Sequence, residues 1–108
     1  METVETTSET AAKASKRIDA LISLGAGEIL ENTLNKLIHY QLAKYRNNIN
    51  HIKRELEKFE KNYNMSSEVF HQDFEAGKLG DEGDFFEWSS LYENVLLYEK
   101  RIKEMDFF

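Results

Sequence analysis

"IHYQLAKYRNNINHIKRELEKFEKNY", residues 38–63, is the stretch whose reading decides the fold. Ile38, Leu42, Tyr45, Ile49, Ile52, Leu56, Phe59 and Tyr63 follow one another at intervals of 4, 3, 4, 3, 4, 3 and 4. A strand would alternate at two; this spacing lays the apolar side chains on one stripe of a helix, in coiled-coil fashion. Lys44, Arg46, Lys53, Arg54, Glu57 and Lys58 fall between them, as a wet face requires. Upstream, Leu30, Leu34 and Leu37 continue the stripe on a slightly rotated face. The pattern predicts one helix over residues 28–63, roughly 54 Å long at about 1.5 Å per residue.

Downstream, the chain punctuates itself. Asn64 tolerates the left-handed conformation that commonly ends a helix. Ser66 can cap a new helix, with Met65 and Phe70 placed as a hydrophobic staple around the cap. That helix, over 66–76, carries Val69, Phe70 and Phe74 and stops at Gly77. Gly80, Asp81 and Gly83 make a turn, and Asp81 or Asp84 can cap a last helix over 84–105. In it Phe85, Trp88, Tyr92 and Val95 form one row, and Leu91, Val95, Tyr98, Ile102 and Met105 a second, overlapping one. Two rows make a face broad enough for two neighbours. Ahead of the long helix, Ile18, Leu21 and Ile22 predict a short helix over 16–24, ended by Gly25. Residues 1–14, rich in Thr, Ser, Glu and Ala, read as a flexible arm. The expected fold is all-α: a long helix, a short connector helix and a returning helix in an antiparallel hairpin, within a single domain over 15–108.

Composition narrows the function classes. The chain has 108 residues, no proline and no cysteine, so it has neither a disulfide nor a thiolate ligand or nucleophile. It opens without a basic-then-apolar signal, and "ALISLGAGEIL" is too short and glycine-broken to span a bilayer. A soluble cytoplasmic protein without membrane attachment is the expectation. The net charge of -6 disfavours nucleic acid, although residues 36–61 carry +4 between segments of -3 (1–35) and -7 (64–108). The aromatics in that basic middle, Tyr45 and Phe59, sit on the buried stripe and make poor stacking platforms. Pairing with the acidic last helix or with a partner accounts for the charge as well as solvated faces do.

Length creates a shortfall of cover. Folded back from residue 63, the last helix, roughly 33 Å long, covers the long helix only to about residue 41. Leu30, Leu34, Leu37 and Ile38 are left over. The segment with Ile18, Leu21 and Ile22 could cover part of them, and a second copy around a two-fold axis could cover them all. Phe107 and Phe108, apolar at the chain end, point the same way. Phe85, Trp88 and Tyr92 either plug the corner where helices meet or form an interface hot spot, where Trp and Tyr are enriched. The candidate interface is therefore Leu30, Leu34, Leu37, Ile38, Phe85, Trp88, Tyr92, Phe107 and Phe108, in a homodimeric helix bundle.

Signals for chemistry are thin. His39, His51 and His71 include no pair at helical zinc spacing. Glu68-Val69-Phe70-His71 has the E-x-x-H form of a di-iron bundle, but such sites need two copies and further inward glutamates. Glu68 and His71 are expected as a first-turn acid and an exposed imidazole. Asp81, Glu82, Asp84 and Glu87 lack the register of a calcium loop. No catalytic residue, metal ligand or cofactor is assigned.

The run Phe59-x-x-x-Tyr63-x-Met65-Ser66-x-x-x-Phe70-x-x-x-Phe74-x-x-Gly77-x-Leu79-Gly80-Asp81-x-x-Asp84-Phe85-x-Glu87-Trp88 resembles a pattern in small helical proteins of archaea and bacteria. Some of these sit beside toxin-like genes and are treated as antitoxin-like. Such proteins often have Gly where Asn64 stands, which leaves the turn physically intact. The resemblance covers about residues 59–98 and implies no catalytic residue. It implies a non-enzymatic module that binds another protein, as the neutralising partner of a toxin. The alternatives are a metal-binding helical bundle and a nucleic-acid-associated regulator.

Overall fold

The computed structural model describes residues 6–106. Among these the chain is all-helical: α1 (Thr7–Ser23), α2 (Gly27–Tyr63), α3 (Ser67–Glu75) and α4 (Gly83–Met105). The last three lie within a residue or so of the spans that the periodicity predicts. The first begins earlier than expected, inside the segment read as an arm. Thr6 caps it, its Oγ1 accepting from the Glu9 amide at 3.1 Å. Thr6-Thr7-Ser8-Glu9 has the Thr-x-x-Glu form of a capping box, and Ala11, Ala12 and Ala14 are strong helix formers. Helix propensity, rather than a buried stripe, carries this helix; none of its residues is buried. Residues 1–5, the rest of the expected arm, lie outside the described residues.

Three helix ends share one device. Gly25 (φ 87°), Asn64 (φ 50°) and Gly77 (φ 74°) each turn left-handed just after a helix. Each is followed by an amide that reaches back five residues: Ala26 to the Leu21 carbonyl at 2.9 Å, Met65 to Glu60 at 3.2 Å, Lys78 to Asp73 at 2.9 Å. This is the Schellman closure, which satisfies carbonyls that a helix end leaves unpaired. The Cβ clash behind the left-handed penalty makes a substitution test direct. Gly77→Ala, in open space, and Asn64→Val are each expected to lower stability by about 1–2 kcal/mol. Asn64→Gly is expected to leave the urea midpoint unchanged or raise it.

The start of α4 differs from expectation. Its N-cap is Glu82, which makes no side-chain cap bond, rather than Asp81 or Asp84. Asp84 lies inside the first turn, and its carboxylate accepts from the Tyr63 hydroxyl at 3.0 Å. Position in the first turn keeps the acid near the positive end of the helix dipole without a cap bond.

The chain divides into two compact units within α2. Described residues up to His39 form one compact unit and those from Tyr40 form another. The core belongs to the second unit: Ile49 and Leu56 from α2, Phe70 from α3, Trp88 and Val95 from α4. Trp88 and Phe70 are fully buried and lie face to face, ring centroids 3.8 Å apart and planes parallel. Tyr45 meets Tyr98 at 5.6 Å, Phe59 meets Trp88 at 5.7 Å and Tyr63 meets Phe85 at 5.3 Å. As α2 advances, its partners on α4 step backwards along the chain. Among its described residues the first unit has no comparable core: α2 contributes no buried residue before Leu42 and α1 contributes none.

Candidate functional site

Two surfaces compete as the working part of the molecule. The first is the N-terminal part of α2, residues 27–39. There Leu30, Leu34 and Ile38 are half-buried and Leu37 is 55% exposed. Neighbours three and four residues away on the same helix shade one another, so half-burial here needs no second element. α1 does not supply the cover: Leu21 and Ile22 are themselves exposed. Leu24 and Ile29, which the periodicity did not single out, are 83% and 72% exposed. Each large aliphatic side chain left in water forgoes about 1.5–3 kcal/mol relative to burial. An apolar stripe that the described residues of its own unit leave partly exposed is the kind of surface that marks an interaction site.

The second surface lies in residues 40–108, around the aromatic corner. Trp88 donates from Nε1 to the Ser67 Oγ at 2.8 Å, and the Ser67 amide donates to the Glu60 carboxylate at 2.8 Å. This chain of bonds ties the end of α2, the start of α3 and the first turns of α4. Of the two roles open to Trp88, the structure gives it the corner: with no exposed area it presents nothing to a partner, a correction to its place among the interface residues. Phe85 is half-buried against Tyr63, Phe70 (5.4 Å) and Phe74 (6.3 Å). Tyr92 is half-buried beside His71, ring centroids 5.0 Å apart. Phe107 and Phe108 lie outside the described residues.

A cleft of about 390 Å³ opens beside this corner, lined by Leu56, Val95 and the exposed Leu96, by Glu57, Glu60, Glu68 and Glu99, and by one cation, Lys53. Its chemistry is part apolar and, on balance, acidic. Tyr92 borders it, and burial, followed by the charges of Glu68 and Glu99, pushes its hydroxyl pKa up.

Tyr63 is held more firmly. Its hydroxyl donates to Asp84, with Glu82 a second acceptor at 3.3 Å. The Asp84 bond above all, then desolvation and the two carboxylate charges, push its pKa up to about 12. A tyrosinate there would face two anions. The folded chain therefore binds this proton more tightly than the unfolded one. The stabilising contribution is complete below about pH 10 and is lost as the pH rises through about 12. A step near pH 12 is expected in an ultraviolet titration of the folded chain, and Tyr63→Phe is expected to remove it.

His71, which the sequence places as a lone exposed imidazole, is half-buried and has carboxylate company. Its Nε2 lies 3.5 Å from Glu93 Oε1 and 3.8 Å from Glu75 Oε1. Glu68, its partner in the formal E-x-x-H motif, is not in this group. The actual neighbours are one helical turn onward in α3 and on α4. No signal in the one-dimensional sequence links residues 71 and 93.

Among the described residues, no helix is long and apolar enough to cross a membrane. No protein-family model, curated protein or solved structure matches this chain.

Proposed function

We propose that the chain is a non-enzymatic helical interaction module that pairs with a second copy of itself and binds a further protein. In this reading α2 and α4 form an antiparallel hairpin, and two chains join through the bare stripe of α2 in a dimeric bundle around a two-fold axis. One observation carries it: α2 has no buried residue before Leu42, although Leu30, Leu34, Leu37 and Ile38 continue its apolar stripe. Isologous pairing covers the same patch on both chains at once.

The further partner is the less specified half of the proposal. The cleft, acidic on balance, suits a basic, amphipathic segment, by apolar contact and charge complementarity. The resemblance over residues 59–98 suggests a toxin-like protein in that place and a cytoplasmic setting. The test is co-expression with the product of the adjacent gene. The reading expects that product to arrest growth alone, and to be neutralised and co-purified by this chain. A harmless neighbour that does not co-purify would contradict the antitoxin-like role and leave self-association to be judged on its own measurement.

A further inference from the structure

We propose that His71, Glu75 and Glu93 form a binding site for a first-row divalent cation, with Zn²⁺ the best match. The donor atoms of all three residues lie within 4.8 Å of one another. His71 and Glu75 stand one turn apart on the same face of α3, where side chains meet. Glu93 reaches them from α4, and α3 and α4 are packed together through Phe70, Phe74, Phe85 and Trp88. The backbone positions of the three donors are thus set by the core rather than by loops.

The electrostatics ask for an electrophile. Nε2 faces two carboxylate oxygens, and carboxylates only accept hydrogen bonds. An unprotonated Nε2 would set three lone pairs facing one another. A proton on Nε2 relieves this in part; a divalent cation relieves all of it, because it answers both negative charges. The distances suit such an ion. Around a tetrahedral Zn²⁺ with bonds of about 2.0–2.1 Å, neighbouring donors stand about 3.3 Å apart. The two edges from His71, at 3.5 and 3.8 Å, are close to that. The remaining closure falls to the glutamates, whose side chains are 58% and 57% exposed and free to adjust. The imidazole, at 21% exposure and beside Tyr92, is the fixed member. One imidazole and two carboxylates select borderline ions such as Zn²⁺, Co²⁺ or Ni²⁺ over a hard ion such as Ca²⁺, which wants six or more oxygens. The fourth position stays open to water. The bound ion would cross-link α3 to α4.

The full chain is titrated with Zn²⁺ by calorimetry and with Co²⁺ by visible absorption. The expected result is one ion per chain, with a Co²⁺ spectrum of a four- or five-coordinate site. Glu75→Gln and Glu93→Gln, at exposed positions, and His71→Ala are each expected to weaken binding more than about tenfold. Glu68→Gln is expected to leave it unchanged. Zn²⁺ is expected to raise the thermal midpoint of the parent chain and not that of the double variant Glu75→Gln/Glu93→Gln. Because His71→Ala also removes packing against Tyr92, that double variant decides the matter should the alanine variant unfold. No saturable binding, or binding undiminished in the double variant, would overturn the proposal.

Discussion

Trp88→Ala is expected to destabilise the chain by about 3–5 kcal/mol, read as a fall in the urea midpoint at unchanged slope. The side chain is fully buried, lies flat on Phe70 and touches the rings of Phe59 and Tyr63. Its removal opens a cavity lined by other rings that cannot collapse together without moving three helices. A domain of this size has about 5–15 kcal/mol of stability in all, so the loss is a large fraction of it. The indole bond can be separated from the ring packing. Trp88→Phe keeps an aromatic ring and deprives the buried Ser67 hydroxyl of its donor, at a cost of about 1–3 kcal/mol beyond the lost volume. Ser67→Ala orphans the indole N–H at a similar cost. The two changes together are expected to cost less than their sum, because neither partner is then left unsatisfied. Strict additivity would mean that the bond at 2.8 Å contributes nothing to the corner.

The second large effect is on assembly. Leu34→Glu/Ile38→Glu places two carboxylates on the bare stripe of α2. Each change forfeits about 1.5–3 kcal/mol of burial, and the charges add a desolvation cost in any apolar contact. At about 1.4 kcal/mol per tenfold, the dissociation constant of a dimer is expected to rise more than about a thousandfold. Helix content by circular dichroism is expected to hold, since these residues sit outside the core of residues 40–108. Loss of helix together with loss of assembly would instead mean that the stripe serves the fold of the single chain.

How much of this was legible in the sequence varies with the range of the interaction. The stripe from Ile38 to Tyr63 is a local pattern, repeated often enough that no other period fits. Asn64 and Gly77 were equally plain, because a left-handed turn restricts the residue that makes it. The start of α1 was not, since Thr6 and Glu9 form a capping box ahead of a polar run with no stripe to announce it. The cap of α4 was misplaced for a different reason. Asp84 has the chemistry of a cap, but the fold engages it with Tyr63, twenty-one residues away. The same holds for the candidate cation site. Glu68 is the sequence neighbour that the E-x-x-H motif offers, while Glu93 arrives only when α4 packs on α3. Composition likewise exposed the excess of apolar residues near Leu30 but could not say that α1 would leave Leu21, Ile22 and Leu24 uncovered as well.

The proposal that α2 requires a second chain is tested most directly by sedimentation equilibrium of the full chain over a wide micromolar range. The expected result is a species of twice the 12.7 kDa chain mass at the upper end, dissociating on dilution, and far weaker in Leu34→Glu/Ile38→Glu. A mass of 12.7 kDa at every concentration, in parent and variant alike, would contradict it.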